Sequence, residues 1–466
     1  MIVMKFGGTS TQDAAAMANV AAIVKARLSL KPIVVVSAIA DATNQLERAG
    51  RLAAEAKESE ARDILLLLLN RHSAIVDALM KDRQKLLELR KTFTSALSEL
   101  ESLIKGVAIL RELTPRTLDH VCSFGERLSS LIVSYVLRES SIDAEWVDTK
   151  DFMFTDDSYN RAVPLMETVE QRLRRLAIPL LEQGKVIVTQ GFIGVTERGD
   201  RTTMGRESSD YSAALIGAVL DARDVQIWTD VDGVLTADPT VVRNPKKVKV
   251  LSFEEAFELS FFGAKVLHPN TMLPALEKNI PIHVYNSRRP ELSGTLIASS
   301  LLNSHSVVKS ITYKKKISVV SVTPRKRLSP FIFWEHIYSV LTKYGVAPQM
   351  AVTSEYNIAI AVDSQNHLSS IVHDLGEIGL VELIDGKGIV GVVGSNIRGK
   401  EGVVNAVFSA IADSSVTMIS HGASASSLSF VVNEEQIPAI VQRLHTALFE
   451  ASADRETFEV LELREA

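Results

Sequence analysis

At 466 residues, with 46% apolar and 23% charged side chains, the chain has the make-up of a folded protein with more than one core. Its net charge of −5 gives no support to a nucleic-acid or anionic-membrane partner. The single cysteine, Cys122, rules out an intrachain disulfide and a cysteine-rich metal site and suits a reducing, cytoplasmic setting. The longest apolar run, Ile64–Leu69, is too short to cross a bilayer.

The first forty residues read as strand, helix, strand: apolar Met1–Phe6, helically spaced Asp13–Leu28, then "PIVVVSA". Lys5 closes the first strand and Gly7-Gly8-Thr9-Ser10 follow it. Glycines let main-chain N–H groups approach an anion, and a helix starting at Thr9 or Ser10 would aim its positive end there. The lysine precedes the glycines, so this is not the G-x-x-x-x-G-K-[ST] loop. An edge strand and turn would fit the same residues.

Residues 45–113 are rich in Leu, Glu, Lys and Arg and nearly free of Gly and Pro, which predicts a helical insertion of two or three helices. Alternation then returns, with strands at "AEWVD", "KVIVTQGFIG", "DVQIWTDVDGV" and "IPIHVYN" and helices at Ser209–Leu220 and Phe253–Gly263. This order predicts an α/β fold with an open, mainly parallel sheet sandwiched by helices, whose ligands gather at the strands' carboxyl ends. Beyond about residue 300, "HSVVKSITYKKKISVVSVTP" reads as two short strands. Helix–strand units then repeat to a last helix at Glu435–Phe449, as in two small α+β domains.

Polar residues cluster at the predicted strand ends. Ser37, Thr43 and Asn44 follow the second strand, where helix capping would also explain them. "CSFGERLSS" places Glu126 at a loop-to-helix junction, where a first-turn glutamate would serve the helix dipole equally well. "RTTMGRESSDYSAA" gathers Arg201, Thr202, Thr203, Arg206, Ser208, Ser209 and Asp210, more polar groups than a capping box needs. An arginine such as Arg206 suits a carboxylate. Thr229-Asp230 ends a strand before the Asp232-Gly233 turn, and Lys265 stands in apolar "FGAKVLHP". His268 and His283 are too isolated for a metal site. Two lysines, an arginine, glycine turns and hydroxyls point to phosphoryl transfer, which works by positioning and charge stabilisation.

Taken in order, "KFGGTS", "VSA…TNQL", "FGERLSS", "TQGFIG", "RTTMGRESSDYSAA", "WTDVDGV…ADP" and "FGAKVLHP" resemble the aspartate kinase family within the amino-acid-kinase superfamily, and the last third resembles its paired ACT (ferredoxin-like) regulatory domains. The resemblance implies MgATP-dependent phosphorylation of the L-aspartate side chain to 4-phospho-L-aspartate, with ATP and Mg²⁺ as cofactors. It implies catalytic roles for Lys5, Asp210 and Lys265, and aspartate binding by Thr43, Glu126, Arg206 and Ser209. Nucleotide contacts would fall to Lys5, Gly7, Gly8, Thr9, Ser10, Thr229, Asp230, Lys265 and Val266, with no protein-held metal site. Expected domains are a catalytic domain at 1–300 with its insertion at about 45–113, a first ACT domain at 315–384, and a second at 385–461 joined by strand 303–314. An amino-acid effector and a homodimer or homotetramer through the ACT domains are further implications. Glu207-Ser208, Leu235 and Thr240 depart from the family pattern, as does Gln349, which stands where lysine-sensitive members carry an aspartate. The competing readings are another carboxylate kinase of the same fold, or a catalytically silent amino-acid sensor built on the ACT domains.

Overall fold

The computed structural model describes residues 1–205, 208–264, 267, 269–299, 307–325, 329–364, 367–450, 454 and 456–460. Two compact units emerge. One comprises Met1–Val234 and Leu267–Ser299, the other Leu235–Val266 and Ser300–Ala466.

In the first unit the strands are β1 (Ile2–Phe6), β2 (Pro32–Val36), β3 (Ala144–Trp146), β4 (Val186–Gln190), β5 (Ile193–Val195), β6 (Arg201–Thr203), β7 (Val225–Thr229), β8 (Ile282–Asn286) and β9 (Thr295–Ala298). Its sheet runs in the order β3-β4-β2-β1-β7-β8-β9. All of these pairings are parallel except the antiparallel β8–β9. The sequences IVMKF, PIVVV, VIVTQ and VQIWT are apolar almost throughout because parallel strands are covered on both faces. Register brings the carboxyl ends level: Phe6 pairs with Val36 and Trp228, Val36 with Gln190, and Thr229 with Asn286. The loops after β1, β2, β4, β7 and β8 therefore open on one edge.

The helices are α1 (Ala14–Lys25), α2 (Ala42–Ala54), α3 (Glu58–Leu79), α4 (Arg83–Leu110), α5 (Pro115–Glu139), α6 (Met166–Glu182) and α7 (Ser208–Val219). The expected insertion is helical, formed by α2 to α4, and its Leu65, Leu68, Leu89, Leu100 and Ile104 join the core cluster that includes Met4, Phe6, Val34 and Val36. Two local expectations change. Residues Gly8–Thr11 form one 3₁₀ turn, and the first α-helix starts only at Ala14, capped by Asp13, which accepts from Ala16 N at 2.8 Å. Glu126 lies well inside α5 rather than at a junction. Thr114 caps that helix and Pro115 occupies its first turn, the favoured place for proline.

The second unit is built on a six-stranded antiparallel sheet. Here Val308–Pro324 is one 17-residue strand, not two short ones. The KKK run forms an irregularity within it, with register shifts between Lys314 and Val319 and Lys316 at φ 60°. Strand Gly379–Gly394 pairs along nearly its whole length. The halves of these two strands are shared out between two βαββαβ arrangements. The Ile317–Pro324 stretch works with helices Pro330–Lys343 and Leu368–Ile378 and strands Met350–Thr353 and Ile358–Asp363. The Val308–Lys314 stretch pairs with Ile389–Gly394, beside strands Ser427–Asn433 and Met418–His421. The same unit takes in Leu235–Val266, whose helix Phe253–Phe261 begins with a reciprocal Ser252–Glu255 capping box. Among the described residues, no helix is long and apolar enough to cross a membrane.

Candidate active site

Lys5 reaches the open edge of the sheet from the end of the central strand. Its Nζ lies 2.6 Å from Asp210 Oδ1, and the two side chains are 11% and 14% exposed. Asp210 is held there by the first turn of α7, whose small residues Ser209, Ser212, Ala213 and Ala214 are buried. Ser209 sits beside it, 8% exposed.

The loop after β1 packs tightly against the end of β7 and the loop after β2. Gly7 N donates to Trp228 O at 3.1 Å, and Ala40 N donates to Gly8 O at 3.1 Å. A Cβ on Gly8 would stand 2.9 Å from Ala38 O, so only glycine allows the β1 and β2 loops this approach. Ser10 is 1% exposed. Its Oγ donates to Ser287 Oγ at 2.8 Å, and Ser287 Oγ donates to Thr229 O at 3.0 Å. Ser10 thus ties the loop to the ends of β7 and β8.

Glu126 approaches from α5. A Cβ on Gly125 would lie 2.8 Å from Ala38 Cβ and 3.7 Å from Thr43 Oγ1, so the absent side chain lets α5 rest on the β2 loop beside Thr43. Glu126 is 3% exposed, and its Oε1 accepts from Ala38 N at 3.0 Å. Its Oε2 is buried with no hydrogen-bond partner. Burial raises the carboxyl from an ordinary 4.5 to about 8, against the opposing pull of the Ala38 N–H and the Lys5 charge. A buried, half-satisfied carboxyl group is suited to a cationic ligand group.

Near the end of β7, Thr229 Oγ1 donates to Asp230 Oδ1 at 3.2 Å, and Asp230 is exposed. Asp232 is 8% exposed, accepts from Asn286 Nδ2 at 2.7 Å and pairs with Arg289. The structure therefore brings Lys5, Gly7, Asp210 and Glu126 together, with Thr43 near Gly125 and Thr229 linked through Ser287 to Ser10. Arg206, Lys265 and Val266, like Glu207 and His268, lie outside the described residues.

The polar run ahead of α7 divides differently from the sequence reading. Arg201 makes a bidentate pair with Asp148 at 2.8 and 2.7 Å. Thr202 bonds to Thr155 at 2.7 Å, and Thr203 donates to buried Asp119 from both N and Oγ1. These residues fasten the β5–β6 hairpin. Burial pushes the Asp148 carboxyl up, but the Arg201 fork outweighs this and holds it below its ordinary value. His283 Nδ1 lies 2.7 Å from Asp224 Oδ1. Sequence reasoning missed Asn286, Ser287 and Arg289, although "YNSRR" at a strand's carboxyl end is a polar cluster of the kind used elsewhere.

A charged pair and glycine loop on the carboxyl edge of a parallel sheet define a phosphate-handling α/β enzyme. A model of the amino acid kinase family matches residues 1–286, and one of an ACT domain matches residues 390–448. The chain belongs to the amino acid kinase family, and its near-full-length relatives are aspartokinases. Aspartokinase 1, chloroplastic, of Arabidopsis thaliana is 34% identical over 465 residues, covering 96% of this chain and 80% of its own length. Lysine-sensitive aspartokinase 3 of Escherichia coli strain K12 is 32% identical over 463 residues, covering 97% of this chain and 99% of its own. The crystal structure of E. coli aspartokinase III with aspartate and ADP, in its R-state, superposes with a TM-score of 0.85 at 33% identity, covering 97% of this chain and 100% of that one. Its T-state complex with lysine and aspartate gives 0.80 at 32% identity, with the same coverage.

Proposed function

We propose that this chain is an aspartate kinase, transferring the γ-phosphoryl group of ATP to the side-chain carboxylate of L-aspartate to give 4-phospho-L-aspartate and ADP. This is the first step towards lysine, threonine and methionine. The observation that carries the reading is the Lys5–Asp210 pair, 2.6 Å apart at the end of the central strand, in a chain whose relatives are aspartokinases.

A carboxylate oxygen attacks the γ-phosphorus and the bond to the β-phosphate oxygen breaks. The nucleophile is already anionic at neutral pH, so the site needs charge and alignment rather than a strong base. Lys5 meets the transferring phosphoryl group, and Asp210 holds that ammonium in place without taking its proton. Gly8 and Thr9 bring backbone N–H groups to the phosphates, Gly7, whose own N–H is held by Trp228 O, keeps the space beside Lys5 Nζ open for them, and Ser10 anchors their loop. Thr229, Asp230 and Val266 take the nucleotide, and Lys265 is the second phosphate-binding cation. Thr43 and Ser209 line the aspartate site, Arg206 binds a substrate carboxylate, and Glu126 receives the α-ammonium group. Among the described residues, no group of three or more His, Cys, Asp or Glu side chains stands together as a metal cage. The glycine-rich loop and lysine fit a nucleotide that carries its own ion, the usual arrangement for Mg²⁺, which would neutralise phosphate charge.

The paired strand halves of the second unit support ACT domains at 315–384 and 385–461, the latter completed by the strand ahead of Lys315. An amino-acid effector, dimers or tetramers formed through these domains, and a cytoplasmic location complete the proposal. Trapping the acyl phosphate as a hydroxamate tests it. Aspartate, glutamate and acetylglutamate are compared with MgATP, and product from aspartate alone is expected. No product from any acceptor, with ATP still bound, would leave a silent sensor.

A further inference from the structure

Arg71 belongs to none of the motifs described above. It lies in α3, within the helical insertion, and is half-buried. Its Nη1 donates to Ala40 O at 2.6 Å and its Nη2 to Gln12 O at 3.0 Å. Those carbonyls sit in different loops. Gln12 follows the turn that carries Gly7 to Ser10. Ala40 lies between Ala38, whose N–H holds Glu126 Oε1, and Thr43 at the start of α2. One planar guanidinium thus spans the phosphate-side loop and the aspartate-side loop, beside the direct Ala40 N to Gly8 O bond.

We infer that Arg71 is a positioning residue for phosphoryl transfer, fixing the separation of the loop that handles the phosphoryl donor from the loop that handles its acceptor. The inference rests on the kinase reading above. Donor and acceptor oxygens must meet in line, so a small loosening between the loops costs turnover. Both Arg71 Nη groups are engaged by main-chain carbonyls. Loss of Arg71 therefore acts on the alignment of two bound molecules rather than on the contacts that bind each of them. Charge-assisted bonds are roughly twice as strong as neutral ones, and a planar fork fixes two acceptors in a way an ammonium does not. The insertion consequently acts as a brace for the site.

The test measures hydroxamate formation and thermal unfolding for wild type, Arg71→Ala, Arg71→Lys and the control Leu67→Ser, a 69%-exposed position on the same helix. Arg71→Ala is expected to lower kcat at least tenfold, with both KM values within threefold of wild type. Added guanidinium ion should restore much of that loss, Arg71→Lys should recover only part of it, and Leu67→Ser should match wild type. Folded Arg71→Ala with kcat within twofold of wild type would overturn the inference, as would a loss that guanidinium cannot relieve. If Arg71→Ala does not fold, Arg71→Lys with wild-type kcat overturns it in the same way. If wild type itself makes no acyl phosphate, the kinase reading has failed. Hydrogen exchange of the ligand-free protein then decides the tie. Faster exchange in residues 8–12 and 38–43 together in Arg71→Lys supports it, and unchanged exchange in both refutes it.

Discussion

Lys5 Nζ and Asp210 Oδ1, joined at 2.6 Å, bring together the end of the first strand and the start of a helix some two hundred residues later. The pair fixes a cation near the carboxyl end of the central strand, where the proposed reaction needs one. Lys5→Ala is expected to abolish hydroxamate formation while the circular dichroism of the protein is retained. Asp210→Asn keeps the shape but not the charge and should lower kcat on the order of a hundredfold, the scale of losing one fixed electrostatic contact at a transition state. Near-normal turnover in either folded variant contradicts the assigned roles.

With Glu126 in the role proposed for it, aspartate binding is expected to depend on pH. The Glu126 carboxyl is raised to about 8 in the free protein, but it must be ionised to pair with the substrate ammonium. Aspartate affinity should therefore rise between pH 6.5 and 8, by up to about tenfold per unit, and then level off. Stability runs the other way. The folded state holds a proton that the unfolded chain has released above about 4.5, so stability declines as pH rises from there through about 8. Glu126→Gln should flatten both profiles, which calorimetric titration and denaturant melts at several pH values would read.

Arg201 and Asp148 should matter for stability before chemistry. Both are buried, so Arg201→Ala leaves a carboxylate without its counter-charge, a change that typically costs about 3–5 kcal/mol. Because the pair depresses the Asp148 carboxyl, its stabilisation is present above the ordinary carboxylate pKa and is lost as pH falls through the lowered one. Urea melts at neutral and strongly acidic pH should show a large gap between wild type and variant at the first and a small gap at the second.

Lys314 Nζ donates to Gln349 Oε1 at 3.0 Å, so the position where lysine-sensitive relatives are expected to carry a carboxylate holds a neutral amide already engaged by an internal ammonium. Free L-lysine should inhibit wild type weakly. Gln349→Asp alone should stay weakly inhibited because Lys314 satisfies the new carboxylate. Lys314→Ala combined with Gln349→Asp should gain sensitivity. Inhibition curves with added L-lysine check all three.

Much of this was legible from local pattern. The buried runs around Lys5, Val35 and Ile227 announce parallel strands, and Ser209-Asp210 stand at a helix start as their small, polar neighbours suggest. Other features depend on packing that no local pattern encodes. Gly125 reads as a junction, yet it is a contact point inside a long helix that Thr114 and Pro115 had already begun. Lys314–Lys316 reads as a break because three lysines suit solvent, but the strand absorbs them through Lys316 at positive φ. Arg71 offers no signal at all, since its acceptors are main-chain oxygens in distant loops. Thr202 and Thr203 look available to a substrate until the buried hydroxyl and carboxylate that claim them come into view.

The stretch from Leu235 to Val266 falls within the span matched to the amino acid kinase family, yet it folds with the second unit. There Thr236 Oγ1 meets His445 Nε2 at 2.9 Å, Lys246 Nζ donates to Phe449 O at 2.7 Å, and buried Lys247 pairs with Glu459 on a short strand aligned with Lys246–Val248. No single cut in the chain can therefore release a self-contained catalytic half. A truncation at residue 299 would strip this segment of the partners that bury its lysines, and a regulatory half transplanted without residues 235–266 would lack part of its own interior.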